Sequence, residues 1–320
     1  MKNWILPFLA CVLLLTACDN TLDINAPYRE TPVVYAIIDM GQDSQIFRIQ
    51  KTYQNDVNKT TEEVAQIADS LYMKNITVKV VNANNQNLFR DFKRVAPRKE
   101  AGFFSNKDSS YWGQRTTGFF TPGSRYTLRI KSNETDKEYI GTTTATGTAN
   151  IRLGGAINLT DLSNGNFSYA VDKIGDNVFM FDLLIRLNYW EINKVSNDST
   201  LSYVDYYVRR DVLFTSVQNG RISLSVSKQG LLGHLTSNIS ANAAVTRKFN
   251  SIEFVVTGFN SDYNDMIQTN KPSGSIIPKV SDYSNISNGI GVFASRTTTK
   301  LKQPLTEPSI ELLNTQILNR

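Results

Sequence analysis

From Pro32 onward, short runs of β-branched and aromatic residues alternate with clusters of Asn, Gly, Ser and Asp, the rhythm of strands separated by turns. Pro32-Val33-Val34-Tyr35-Ala36-Ile37-Ile38 and Gln45-Ile46-Phe47-Arg48-Ile49-Gln50-Lys51 flank a turn over Asp39 to Ser44 and predict a hairpin. Residues 61 to 72 break that rhythm. Val64, Ile67, Ala68 and Leu71 recur at helical spacing, and Thr60 or Thr61 is placed to cap a short amphipathic helix. Strand patterns resume at Ile76 to Val81, Leu88 to Phe92, Tyr126 to Ile130 and Glu138 to Gly141.

The small, uncharged stretch from Gly141 to Ala149 predicts a terminal strand running into a linker, with a domain boundary near 148. Beyond it, Phe179 to Leu187 is almost continuously apolar and predicts a central strand buried on both faces. Tyr203 to Phe214, Arg221 to Val226 and Ser251 to Thr257 follow as strands, with a helical turn over Asp262 to Thr269. In Asn288-Gly289-Ile290-Gly291-Val292-Phe293, Asn288-Gly289 suits a turn with positive φ, and Gly291 lets another backbone pass close. The pattern predicts an all-β fold of two tandem β-sandwich, immunoglobulin-like domains with one or two short helices. They span residues 32–147 and 148–302, and a loosely docked tail follows over 303–320.

The first seventeen residues belong to another class. Lys2 precedes an apolar run from Ile5 to Leu15, long enough for a signal-peptide core and well short of the roughly twenty residues that span a bilayer. The run ends in Leu15-Thr16-Ala17-Cys18, the pattern of a lipobox. Small residues before the cysteine admit a signal peptidase, and only a thiolate is nucleophilic enough to take a diacylglycerol as a thioether. Residues 1–17 therefore read as a lipoprotein signal peptide and Cys18 as the lipidation site. The polar residues 18–31 read as a tether. Several acyl chains hold a protein far more firmly than one, so the mature chain is expected to be anchored to a lipid bilayer without spanning it.

Composition narrows the rest. Cys11 leaves with the signal peptide and Cys18 is alkylated, so no disulfide remains and stability must come from burial. Losing Lys2 lowers the formal charge from +5 to +4. The one dense basic group is Arg90, Lys93, Arg94, Arg98 and Lys99, a solvated loop or a contact for anionic lipid or glycan phosphate. No nucleic-acid motif accompanies it, and nucleic acid is not an expected partner.

The order of features resembles one family. A lipobox is followed by Pro-Val-Val-Tyr in a first strand and by Phe47-Arg48-Ile49-Gln50-Lys51. Ala65-Gln66-Ile67-Ala68-Asp69-Ser70-Leu71-Tyr72 precedes a Val-rich strand, Tyr126-Thr127-Leu128 precedes a Thr-rich segment, and Asn285 to Phe293 closes the series. This resembles the outer-membrane lipoproteins of the Bacteroidetes grouped under a domain of unknown function, numbered four thousand two hundred and forty-nine. The resemblance implies a β-sandwich lipoprotein of the outer membrane, in some cases associated with TonB-dependent transporters. It also brings in the Asp-Ser/Thr-apolar acceptor pattern of periplasmic O-glycosylation, which Asp69-Ser70-Leu71 fits at Ser70.

Catalytic chemistry has little to stand on. His234 is the one histidine, and no zinc motif, nucleophile elbow or paired acidic motif accompanies it. Asn260, Asp262, Asn264 and Asp265 loosely resemble a calcium loop but lack its glycine and terminal Glu, so a helix cap near Asp262 is the expectation. Among the aromatics, Tyr111-Trp112 lies in a polar, Gly-containing stretch outside a clean strand and is the candidate contact for a sugar or a partner. The expected protein is not an enzyme and needs no cofactor or metal. It is a lipid-anchored accessory subunit docking on an outer-membrane β-barrel, with a surface glycan- or ligand-binding lipoprotein as the alternative.

Overall fold

The computed structural model describes residues 29–53, 59–96, 111–161, 165–174, 177–213, 220–270 and 283–320. Residues Thr31–Arg320 form one compact unit, and it is all-β apart from a few short helices.

Fourteen strands follow the chain, beginning with β1 (Pro32–Asp39), β2 (Ser44–Lys51), β3 (Ile76–Asn82) and β4 (Asn85–Arg94). β5 (Tyr111–Arg115), β6 (Arg125–Ser132), β7 (Glu138–Thr144), β8 (Thr148–Leu153) and β9 (Asn166–Ile174) come next. The set ends with β10 (Met180–Asn193), β11 (Ser199–Leu213), β12 (Arg221–Ser227), β13 (Val245–Phe259) and β14 (Ile290–Gln303). Eleven of them form one sheet, in the order β11-β10-β13-β14-β1-β2-β5-β4-β3-β6-β7, and β12-β9-β8 form a second sheet. Pairing is antiparallel throughout except between β1 and β14.

The division expected near residue 148 meets a sheet that runs across it and an interior that changes there. One hydrophobic cluster takes its members from Val34 to Ala145 together with Ile286 and Phe293. In it, Phe47 of β2 stacks on Phe92 of β4 at 4.5 Å and meets Phe293 of β14 edge-on at 6.1 Å. β7 returns over β14, where Thr146 N–H donates to Ser295 Oγ at 3.0 Å. The other cluster runs from Ala149 to Leu318. Here the three-stranded sheet packs on β13, with Tyr169 edge-on to Phe254 at 4.8 Å. Burial pushes the Tyr169 phenol well above its ordinary range.

Period-two alternation explains most strands. β10 buries Phe181, Leu183, Ile185, Leu187 and Tyr189 on its inner face. Its outer face is covered less completely: Met180, Leu184 and Asn188 are buried there, Asp182 and Arg186 are half-buried, and Trp190, beyond the apolar run, is exposed.

The helical pattern of residues 61 to 72 resolves into α1 (Thr61–Gln66) and α2 (Ala68–Leu71), broken where Ile67 takes an extended conformation. Thr60 caps α1 in a capping box with Glu63. A third helix, α3 (Lys228–Asn238), has no counterpart in the sequence reading, whereas α4 (Ser261–Asn270) coincides with the helical turn expected there.

The tail is not loosely docked. β14 runs to Gln303, α5 (Glu307–Leu312) follows, and a π-helical turn over Leu313–Leu318 buries Leu313, Ile317 and Leu318 in the second core. Asn314 Oδ1 accepts from Phe249 N–H at 2.8 Å, and Asn319 Oδ1 accepts from Arg247 N–H at 2.7 Å. Those side-chain amides satisfy β13 where β14 no longer pairs with it, since the β13–β14 register ends at Ile252.

Candidate functional site

The hairpin of β10 and β11 projects the most accessible aromatic face of the described residues. β11 ends the larger sheet, and among the described residues no strand pairs with its other side. Registered pairs place Leu201 opposite Trp190, Tyr203 opposite Asn188, and Asp205 opposite Arg186 on the outward face. Trp190 is 36% exposed, Leu201 49% and Tyr203 58%. β13 continues the same rows with Lys248, Ser251 and Glu253.

This face is held rigidly from beneath. Arg186 donates to both carboxylate oxygens of Asp205 at 2.7 Å, a two-pronged pairing, and its guanidinium lies 4.1 Å from the Tyr203 ring centroid. That hydrogen bond raises the Arg186 pKa further, keeping it charged. Asn188 donates to Ser251 Oγ at 3.1 Å. Farther along β11, the Arg210 guanidinium sits 3.5 Å from the Tyr207 ring centroid. The face therefore combines flat rings, fixed hydrogen-bonding groups and a strand edge covered in part by His234 at the Asp205 carbonyl.

The Tyr111-Trp112 candidate does not contribute to it. The two residues open β5, and Trp112 is 6% exposed within the first core. The reason is register: Trp112 pairs with Phe47, whose side chain points inward. Arg94 covers the indole at 5.3 Å. Tyr111 turns the other way, half-buried, with the Arg48 guanidinium 5.8 Å from its centroid.

Ser70 lies in α2, and its hydroxyl engages the carbonyls of Val64 at 2.6 Å and Ile67 at 2.7 Å. Cys18, the signal peptide expected over residues 1–17, Arg98 and Lys99 lie outside the described residues. The rest of the basic group is not a loop. Arg90, Lys93 and Arg94 sit on β4, and Arg90 lies over the Phe119 ring at 4.7 Å.

His234 belongs to α3, half-buried, with Nε2 3.0 Å from the Asp205 carbonyl and its ring edge-on to Tyr206 at 5.3 Å. The residues weighed as a calcium loop tie β7 to α4 instead. Asn260 Nδ2 donates to Thr143 Oγ1 at 2.6 Å and to Asp262 Oδ2 at 3.0 Å, while its Oδ1 accepts from Tyr263 N–H and Ser295 N–H. Asp262 also accepts from Thr143 at 2.7 Å and from Tyr283 at 3.2 Å. Burial, then the Asp262 charge, pushes the Tyr283 phenol well up. Burial likewise raises Tyr263 to about 12. Among the described residues no cluster of His, Cys, Asp and Glu is placed to hold a metal ion, and no helix is long and apolar enough to cross a membrane.

Trp190 escaped the sequence reading because Tyr189, one residue away, carries the same chemistry. Tyr189 is buried beside exposed Trp190. The available signal was the strand phase set by the core residues Leu183, Ile185 and Leu187, which puts position 189 inside and 190 outside.

No protein-family model and no curated protein matches the chain. A solved structure described as "Cytokine receptor complex - Crystal form 1A" overlaps 86% of this chain and 99% of its own, at 7% identity and a TM-score of 0.24. A superposition that loose carries no argument about function.

Proposed function

We propose that this protein is a non-catalytic outer-membrane lipoprotein, anchored through Cys18, that serves as an accessory subunit docking on an outer-membrane β-barrel. The barrel is a TonB-dependent transporter or part of a secretion assembly. The observation that carries the reading is Leu15-Thr16-Ala17-Cys18 after an eleven-residue apolar run, Ile5 to Leu15. The resemblance to the Bacteroidetes lipoproteins supports it. So does the outward face of β10 and β11, whose Trp, Tyr and Arg content is that of protein-binding hot spots.

Two measurements test it. Metabolic labelling with palmitate should mark the native protein and not Cys18→Ser, and an unlabelled native protein would overturn the anchor. Affinity purification from solubilised membranes should recover a stoichiometric barrel protein, and recovery of this chain alone would overturn the docking role.

One observation favours a second reading, a surface lipoprotein that binds glycan. Exposed Trp190 and Tyr203 flank Asn188 and Asp205, which is ring-stacking surface beside fixed polar groups. Glycan-array binding lost on Trp190→Ala would select this reading over the first.

A further inference from the structure

The joint between β2, β5 and β4 carries a second feature, apart from the hairpin face. Ile46, Gly113 and Lys93 are in register across the three strands, and Ser44 pairs with Arg115 one step along the same side. Antiparallel partners share a face, so these side chains line one side of the sheet. Gly113 carries no side chain at the centre of that row, and the Val95 methyl groups close over it. The result is a depression of about 560 Å³ lined by Ser44, Ile46, Lys93, Arg94, Val95 and Arg115, among others. Its size lies within the range of small-ligand sites, roughly 300–1,000 Å³.

Charge distinguishes this depression from ordinary surface. Lys93 and Arg115 stand on this face, Arg94 turns to the Trp112 side, and none of the lining residues is acidic. The acidic neighbour on β4, Asp91, is drawn instead to Lys79 at 3.6 Å. Arg115 donates to the neutral Thr117 hydroxyl at 3.2 Å, and Arg94 donates to the Met73 carbonyl. Neither contact neutralises a charge. Among the described residues no carboxylate pairs with Lys93, Arg94 or Arg115. Ile46, 54% exposed, and Val95 add an apolar wall.

We infer that this depression binds a phosphate group, with Lys93 and Arg115 as its principal donors. Guanidinium and ammonium groups suit phosphate oxygens, and two positive charges with no carboxylate partner among the described residues favour a dianion over a single carboxylate. The apolar wall suits the carbon-bearing side of an organic phosphate. Such a group comes from a soluble phosphate compound or from an anionic lipid headgroup.

The test is isothermal titration of the full lipidated chain in neutral detergent micelles. One arm adds inorganic phosphate and the other adds micelles containing phosphatidylglycerol. Binding is expected in at least one arm, and the responding arm identifies the source. The Lys93→Gln/Arg115→Gln variant should bind about tenfold more weakly or not at all, since a hydrogen bond to a charged group is worth roughly 1.5–3 kcal/mol. Both side chains are exposed, so its unfolding midpoint should match that of the native protein. Lys137→Gln/Lys300→Gln removes equal charge from exposed positions outside both candidate sites and should bind as the native protein does. No heat in either arm, unchanged binding by the first variant, or equal loss in the second would overturn the site.

Discussion

Gly291 pairs with Val34 across the parallel junction of the last strand and the first, at a φ of +112°, so close that a Cβ would overlap the Val34 carbonyl oxygen. An L-residue meets two obstacles there: a backbone region it rarely adopts and a collision with backbone that cannot swing aside. Gly291→Ala should cost about 3 kcal/mol or more, or prevent folding. Chemical denaturation reads the loss, and a stability within 1 kcal/mol of native would contradict the junction.

The two tryptophans of the folded unit should behave oppositely. Trp112→Ala empties a core position beneath Arg94 and beside Phe47, with an expected cost of about 3–5 kcal/mol. Trp190→Ala removes a ring from an open face and should cost less than about 1 kcal/mol, while weakening whatever binds the hairpin. Thermal unfolding of both variants, beside a pull-down or glycan array for the second, separates the roles.

Truncation after Gln303 should destabilise the whole folded unit, not merely shorten it. It removes Leu313, Ile317 and Leu318 from the second core and leaves Arg247 and Phe249 N–H groups without their Asn319 and Asn314 partners. Leu318→Ala alone should cost about 2–5 kcal/mol. Urea midpoints decide it, and a truncated chain as stable as the native one would make the tail dispensable.

Arg247 should be more costly to remove than a surface arginine. It is 8% exposed and binds Glu191 and the Ser240 carbonyl, both at 2.7 Å. Arg247→Ala leaves Glu191 half-buried and unpaired, for an expected loss of about 3 kcal/mol. Glu191→Gln combined with Arg247→Met should recover part of it, measured by denaturant titration.

Asp182 gives a pH signature. Burial raises its pKa above the ordinary carboxylate value, against the lowering effect of the Asp211 N–H bond at 3.0 Å. A carboxyl whose folded pKa is raised favours the folded state fully below its unfolded pKa, about 3.9. That contribution is lost as pH rises through the folded value. Asp182→Asn, which keeps an acceptor for Asp211, should therefore gain stability over the native protein at neutral pH. The gain should vanish below about pH 4. Unfolding midpoints across that window check the sign.

Local pattern alone determined much of this protein. Alternation in Pro32 to Ile38 and Gln45 to Lys51 sufficed for the first hairpin, Thr60 was legible as a helix cap, and Gly291 was legible as a close approach. Each depends on neighbours a few residues away, where strand period, cap chemistry and glycine freedom act directly. The lipobox is local in the same sense, and the role proposed for Cys18 rests on it. Tertiary structure decided which side each aromatic faces. Tyr111 and Trp112 are interchangeable in composition, and the register against Phe47 assigns Trp112 to the core. It also decided the fate of the tail, because Asn314 and Asn319 find their partners on β13 about seventy residues earlier in the chain, as the 65- and 72-residue separations record. Likewise, no local signal joins Lys93 of β4 to Arg115 of β5. Their shared depression exists because the sheet brings both strands together at Gly113.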